Sequence, residues 1–63
     1  MPYATIDQLP PAVQHLPVHA QEIFRAAFNA AWDEYGEEAT AFRVAWAAVK
    51  KRYKKRGDYW VEK

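Results

Sequence analysis

A chain of 63 residues, 51% hydrophobic and 16% aromatic, without cysteine and with a formal net charge of +1, has room for one domain, residues 1–63. So short a chain buries only about 60% of its unfolded surface, so its core must be dense. Without cysteine there is neither a disulfide framework nor a thiolate zinc site, and the apolar content argues against intrinsic disorder.

The first 17 residues are punctuated by Pro2, Pro10, Pro11 and Pro17. Thr5-Ile6-Asp7-Gln8 has the form of a capping box, which predicts one helical turn. A second short turn should run through Ala12-Val13-Gln14-His15, with Pro10 or Pro11 as its first residue. Pro17 then stops that turn and opens the next helix. Leu9, Val13 and Leu16 are the expected core anchors of this lead-in.

From Val18 to Tyr35 the spacing of Ile23, Phe24, Ala27, Phe28, Ala31, Trp32 and Tyr35 predicts a helix with one apolar face. Glu22, Arg25, Asn29 and Asp33 fall on the opposite face. Gly36 is placed to end this helix in the left-handed conformation. A second long helix should begin at Glu37-Glu38, which suits the positive end of its dipole. Its buried stripe is Ala41, Phe42, Ala45, Trp46, Ala48, Val49 and Tyr53, with Arg43, Ala47, Lys50 and Lys54 outward. The cations of residues 50–56 then occupy its last turns, and Gly57 closes it. Ala27-Phe28-x-x-Ala31-Trp32 and Ala41-Phe42-x-x-Ala45-Trp46 repeat one pattern fourteen positions apart, so an antiparallel hairpin should interleave their rings. One continuous helix from Val18 to Arg56 is the minor alternative, since a mid-helix glycine costs only about 1 kcal/mol. The tail Asp58-Tyr59-Trp60-Val61 has strand-forming residues. The expected partner is Pro2-Tyr3-Ala4, giving a tiny two-stranded sheet that joins the termini and packs Tyr3 and Trp60 on the helices.

No stretch approaches the roughly 18 apolar residues of a membrane span. The N-terminus lacks a signal-peptide pattern, so the expectation is a soluble, cytoplasmic monomer. Charge is segregated along the chain. Asp7, Glu22, Asp33, Glu34, Glu37 and Glu38 outnumber Arg25 and Arg43 in residues 1–49, a balance of −4. Lys50, Lys51, Arg52, Lys54, Lys55, Arg56 and Lys63 outnumber Asp58 and Glu62 in the remainder, a balance of +5.

Met1-Pro2-Tyr3, Leu9-Pro10, Leu16-Pro17-x-His19-Ala20-Gln21-x-Ile23, Ala27-Phe28-Asn29-x-Ala31-Trp32-x-x-Tyr35, Ala45-Trp46-Ala47-Ala48-Val49-Lys50-x-x-Tyr53 and Trp60 together give the chain a pattern that resembles the ChaB family. These are small bacterial and viral proteins named for the regulation of cation transport. The resemblance spans nearly the whole chain. It implies a mainly helical domain with a small strand pair and a protein partner, a membrane sodium/calcium–proton antiporter being the one its name suggests. It brings no catalytic residues and no cofactor. Two departures accompany it. Enterobacterial members look longer between the main helices, whereas Gly36-Glu37-Glu38 makes a short turn here, and Val18 stands where a capping serine would be at home.

Three groups of residues are candidates for function. Lys50, Lys51, Arg52, Lys54, Lys55 and Arg56 put six cations around Tyr53, a pattern suited to a phosphate backbone or anionic headgroups, and equally to a plain complement of the helix dipole that keeps the chain soluble. No nucleic-acid motif surrounds them, so base-specific reading is not expected. Asp33, Glu34, Glu37 and Glu38 crowd the turn, where weak cation binding competes with a plain solvated loop, because a calcium loop's alternating oxygens are missing. His15 and His19 are four apart, but Pro17 between them disrupts the helix that would align them as metal ligands, so no metal site is expected. Thr5 and Thr40 are the only hydroxyls besides tyrosine, and no phosphate-cradling glycine loop exists, which makes an enzyme improbable. The leading reading is a non-enzymatic regulator or adaptor, and the alternative a small nucleic-acid-binding module using Lys50 to Arg56.

Overall fold

Four prolines in a short lead-in remove backbone donors and leave carbonyls that something else must satisfy. The computed structural model, which describes residues 3–63, shows how. A 3-10 turn at Ile6–Gln8 follows Thr5. The expected capping box does not form: Thr5 makes no side-chain cap bond, and Gln8 accepts from the Ala4 amide, one residue before the cap, at 2.9 Å. Helix α1, Pro11–Gln14, starts with Pro11 at its first position. Two glutamine amides then do the work of the missing donors. Gln14 donates to the Leu9 and Asp7 carbonyls at 2.7 and 3.1 Å, and the buried Gln21 donates to those of Leu16 and Gln14 at 2.7 and 3.2 Å. Leu9, Val13 and Leu16 point inward as the anchors of the lead-in.

Helix α2 runs Val18–Tyr35 and helix α3 runs Glu38–Arg52. Between them Gly36 adopts φ +65 and donates its amide to the Trp32 carbonyl at 2.8 Å. That is the left-handed stop the glycine makes cheap, and it rules out one continuous helix. Phe24 meets Trp46 edge-on at 5.2 Å and Phe28 meets Phe42 at 4.8 Å, so the two helices run antiparallel. Ala41 and Ala45, wholly buried, let the helices approach closely enough for these rings to interlock. The repeated Ala-Phe-x-x-Ala-Trp pattern is therefore core chemistry. Tyr35, expected on the buried face, is 57% exposed, because the helix ends there and α3 has not yet begun.

Two other expectations fail for a common reason. The sheet does not join the termini: β1, Tyr53–Arg56, pairs antiparallel with β2, Tyr59–Glu62, as a local hairpin. Likewise Lys54, Lys55 and Arg56 are not in a helix, since α3 stops at Arg52. Gly57 does not close a helix. It is the first central residue of the two-residue loop, with φ +66, while Asp58 keeps a negative φ, the arrangement of a type II′ turn. A glycine after a basic run serves either purpose, and the strand wins because it lays Trp60 on Trp46 at 6.2 Å. Lys63 adds one more backbone bond, donating to Arg52 at 2.8 Å. Tyr53, the first strand residue, is buried, and its hydroxyl lies 3.1 Å from His19 Nδ1 at the start of α2.

Of the N-terminal segment expected to pair with the tail, Pro2 lies outside the described residues, and Tyr3 needs no strand. The Asn29 side chain, assigned from the sequence to the outer face, brackets the Tyr3 backbone. Its Oδ1 accepts from the Tyr3 amide and its Nδ2 donates to the Tyr3 carbonyl, both at 2.8 Å. Arg25 adds a longer bond to the Ala4 carbonyl at 3.4 Å. The Tyr3 ring packs on Phe28 with centroids 4.9 Å apart. Asn29→Ala removes both clamps, so it should cost about 1–2 kcal/mol. It should also speed exchange of the Tyr3 amide about tenfold in hydrogen-exchange NMR; an unchanged rate would show that the ring contact alone holds the segment.

Candidate functional site

The basic residues are positioned by two elements meeting at a right place for charge. Lys50, Lys51 and Arg52 form the last turn of α3, where cations complement the carbonyl end of the helix by about 0.3–1 kcal/mol each. Lys54, Lys55 and Arg56 follow on β1, and all six are exposed. Strand alternation separates them. Lys55 shares the face of Tyr53, whereas Lys54 and Arg56 point to the other side. The predicted single basic helix end is thus corrected to a helix end plus a strand with two differently charged faces. The cations do not form one continuous track.

On the Lys55 face the hairpin register sets Lys55 opposite Trp60 and Tyr53 opposite Glu62. Trp46, Lys50, Lys55 and Trp60 line a groove of about 520 Å³. A second hollow of about 440 Å³ lies along α3 between Ile23, Val44, Ala47 and Ala48, closed at one end by Lys51 and Arg52. Both grooves are shallow, apolar along the floor and cationic at the margin. The Trp46–Trp60 pair was not legible as a site, because its members come from different elements whose contact depends on the hairpin.

The carboxylates gather at the opposite end of the long helices. Asp33 and Glu34 close α2, Glu37 precedes α3, and Glu38 opens it; all four are exposed. Thr40 Oγ1 donates to the Glu37 carboxylate, and the Ala41 amide donates to the Glu37 carbonyl at 3.0 Å. These are contacts that shape a helix start. The Glu38 charge reaches the Tyr3 phenol: burial first, and that carboxylate second, hold it above the ordinary tyrosine value of 10.0. Because the fold disfavours the phenolate, Tyr3 contributes its full stabilisation below that ordinary value. The contribution is lost as pH rises through the raised one. Fifteen residues of α3 separate the acidic turn from the basic end by about 20 Å, in a molecule 33 Å long.

His15 and His19 do not converge. His15 caps the end of α1 and His19 faces Tyr53. Among the described residues no group of three or more His, Cys, Asp or Glu is placed to hold a metal ion. No buried side-chain polar atom among them lacks a partner. Among the described residues no helix is long and apolar enough to cross a membrane.

Comparison with known proteins places this geometry among relatives. The ChaB family model matches residues 9–63. A protein of Escherichia coli K12 named "Putative cation transport regulator ChaB" is 49% identical over 69 aligned residues, covering 92% of this chain and 91% of its own. A protein of Shigella flexneri with the same name gives the same figures. An alignment longer than this chain means that these relatives carry residues it lacks. In three dimensions the chain is similar to an NMR solution structure of the putative cation transport regulator ChaB. That likeness has a TM-score of 0.86 and 46% identity, over 98% of this chain and 99% of the other.

Proposed function

Since this chain belongs to the ChaB family, we propose that it regulates cation transport as a non-enzymatic adaptor, acting by binding a macromolecular partner, a membrane cation antiporter being the candidate. The observation that carries the reading is the segregation of charge on a satisfied core. Six cations stand exposed at one end and four carboxylates at the other. All three phenylalanines and all three tryptophans are buried or half-buried, while Tyr35 and Tyr59 stand exposed. A surface of this kind meets other molecules through charge, which steers and orients encounter more than it adds raw affinity. The basic end is the contact surface, and the acidic turn is the opposite pole that orients approach. The nucleic-acid alternative gains no observation of its own, because the cations are divided between strand faces.

The test is cation–proton exchange in everted membrane vesicles from an Escherichia coli strain deleted for its ChaB relative. Adding the purified chain should change the sodium- or calcium-driven exchange rate about twofold or more at low ionic strength, with the effect shrinking as salt screens the charges. Identical rates with and without the chain would reject regulation of these transporters.

A further inference from the structure

The basic end carries more than charge. Helix geometry puts Trp46 and Lys50 one turn apart on the same face of α3, and the hairpin register puts Lys55 across from Trp60. Folding back of the hairpin brings the two indoles to a centroid separation of 6.2 Å with 31° between their planes. Both rings are half-buried, and both lysines are exposed. The result is an apolar floor of two touching indoles, with Lys50 and Lys55 at its margin. Among the described residues neither ammonium has a carboxylate partner.

We propose that this groove docks an acidic peptide segment of the partner, which lays one apolar or aromatic side chain on the floor formed by Trp46 and Trp60 and sets carboxylates against Lys50 and Lys55. The assignment rests on the regulatory reading above and gives it an address. Charge complementarity selects the acidic partner, and the shape of the floor selects a peptide. A nucleobase stacks best on a flat, open ring face, whereas two tilted, half-covered indoles offer a broken surface that a flexible side chain can follow. Glu62 lies two residues beyond Trp60 on the same face of β2, and Asp58 lies in the turn. A phosphate chain carries charge at every step and must run past them. A peptide can place its carboxylates only where the lysines are.

The three indoles make the test internal, because Trp32 stacks on Phe28 away from the groove. The full chain, labelled with nitrogen-15, is titrated at low salt with the blocked peptide acetyl-Ser-Glu-Phe-Gly-Glu-Ser-amide. The Trp46 and Trp60 indole N–H signals should move together, with a dissociation constant of about 1 mM or below, while Trp32 stays in place. Replacing the peptide's Phe by Ala should weaken binding about fivefold, as loss of a buried aromatic predicts. Lys50→Gln with Lys55→Gln should weaken it about tenfold, and Lys54→Gln, on the other strand face, less than about twofold. The groove is rejected if no indole moves, if all three move alike, or if Lys54→Gln matters as much as Lys55→Gln. It is also rejected if oligothymidine or phosphatidylglycerol vesicles move Trp46 and Trp60 at lower concentration than the peptide. A failed titration beside an intact effect on cation exchange would remove the groove and leave the regulatory reading standing. A specific titration beside unchanged exchange would do the reverse.

Discussion

Phe24→Ala should abolish cooperative folding of this chain. Phe24 is fully buried and is the hub of the aromatic cluster, with Phe28, Phe42 and Trp46 all within 6.3 Å by ring centroid. Truncating a buried Phe costs about 3–5 kcal/mol in lost transfer energy and cavity. A chain of 63 residues has about 3–9 kcal/mol of stability in total, so one side chain removes a large fraction of it. There is no disulfide to hold the remainder together. Urea unfolding followed by far-ultraviolet circular dichroism checks this: the variant should show a gradual loss of helix or a midpoint near zero denaturant. Phe24→Leu, which keeps most of the volume, should retain a cooperative transition. A Phe24→Ala variant within about 1 kcal/mol of the parent would mean that the ring cluster is not what holds α2 to α3.

Ala45→Leu tests the same interface by filling it. Ala45 is wholly buried, one turn from the equally buried Ala41, at a contact where side-chain size sets the distance between helix axes. Three added carbons have nowhere to go, so the helices must separate or the rings must leave their rotamers. Overpacking of this kind costs about 1–3 kcal/mol, occasionally more. Its mark is a lower urea midpoint together with displaced Phe24 and Trp46 ring resonances, because the edge-on contact at 5.2 Å opens as the axes part. Ala47→Leu, two residues on and exposed, serves as the control, with an expected change within about 0.5 kcal/mol. Equal midpoints for the two leucine variants would show that the alanines are a matter of helix propensity and not of approach.

These two variants also bear on the proposed docking groove, because its floor is the outer side of the core. Trp46 touches Phe24 on one side and Trp60 on the other. Anything that shifts α3 against α2 therefore tilts that floor. A site built this way is supported by the packing beneath it, and the exposed Lys50 and Lys55 can be replaced without disturbing that support.

Local sequence determined the helical part of this protein. The periodic apolar positions of 18–35 and 38–52 can be buried only on one side of a helix, and Gly36 alone offers the left-handed φ that a short turn needs. The buried Leu9, Val13 and Leu16 were legible for the same reason, being the apolar residues among prolines. Tertiary structure decided the rest. A basic run followed by glycine reads equally as a helix end or as the first strand of a hairpin. The choice fell to a contact between Trp60 and Trp46, fourteen residues apart, which no local signal encodes. Asn29 looked like an outward-facing polar residue until the chain brought Tyr3 against it across 26 positions. Gln14 and Gln21 took on their roles because prolines nearby could not donate. Periodicity reports which face of an element is buried; it cannot report which distant backbone or ring arrives to cover it, and the groove at the basic end is made of such arrivals.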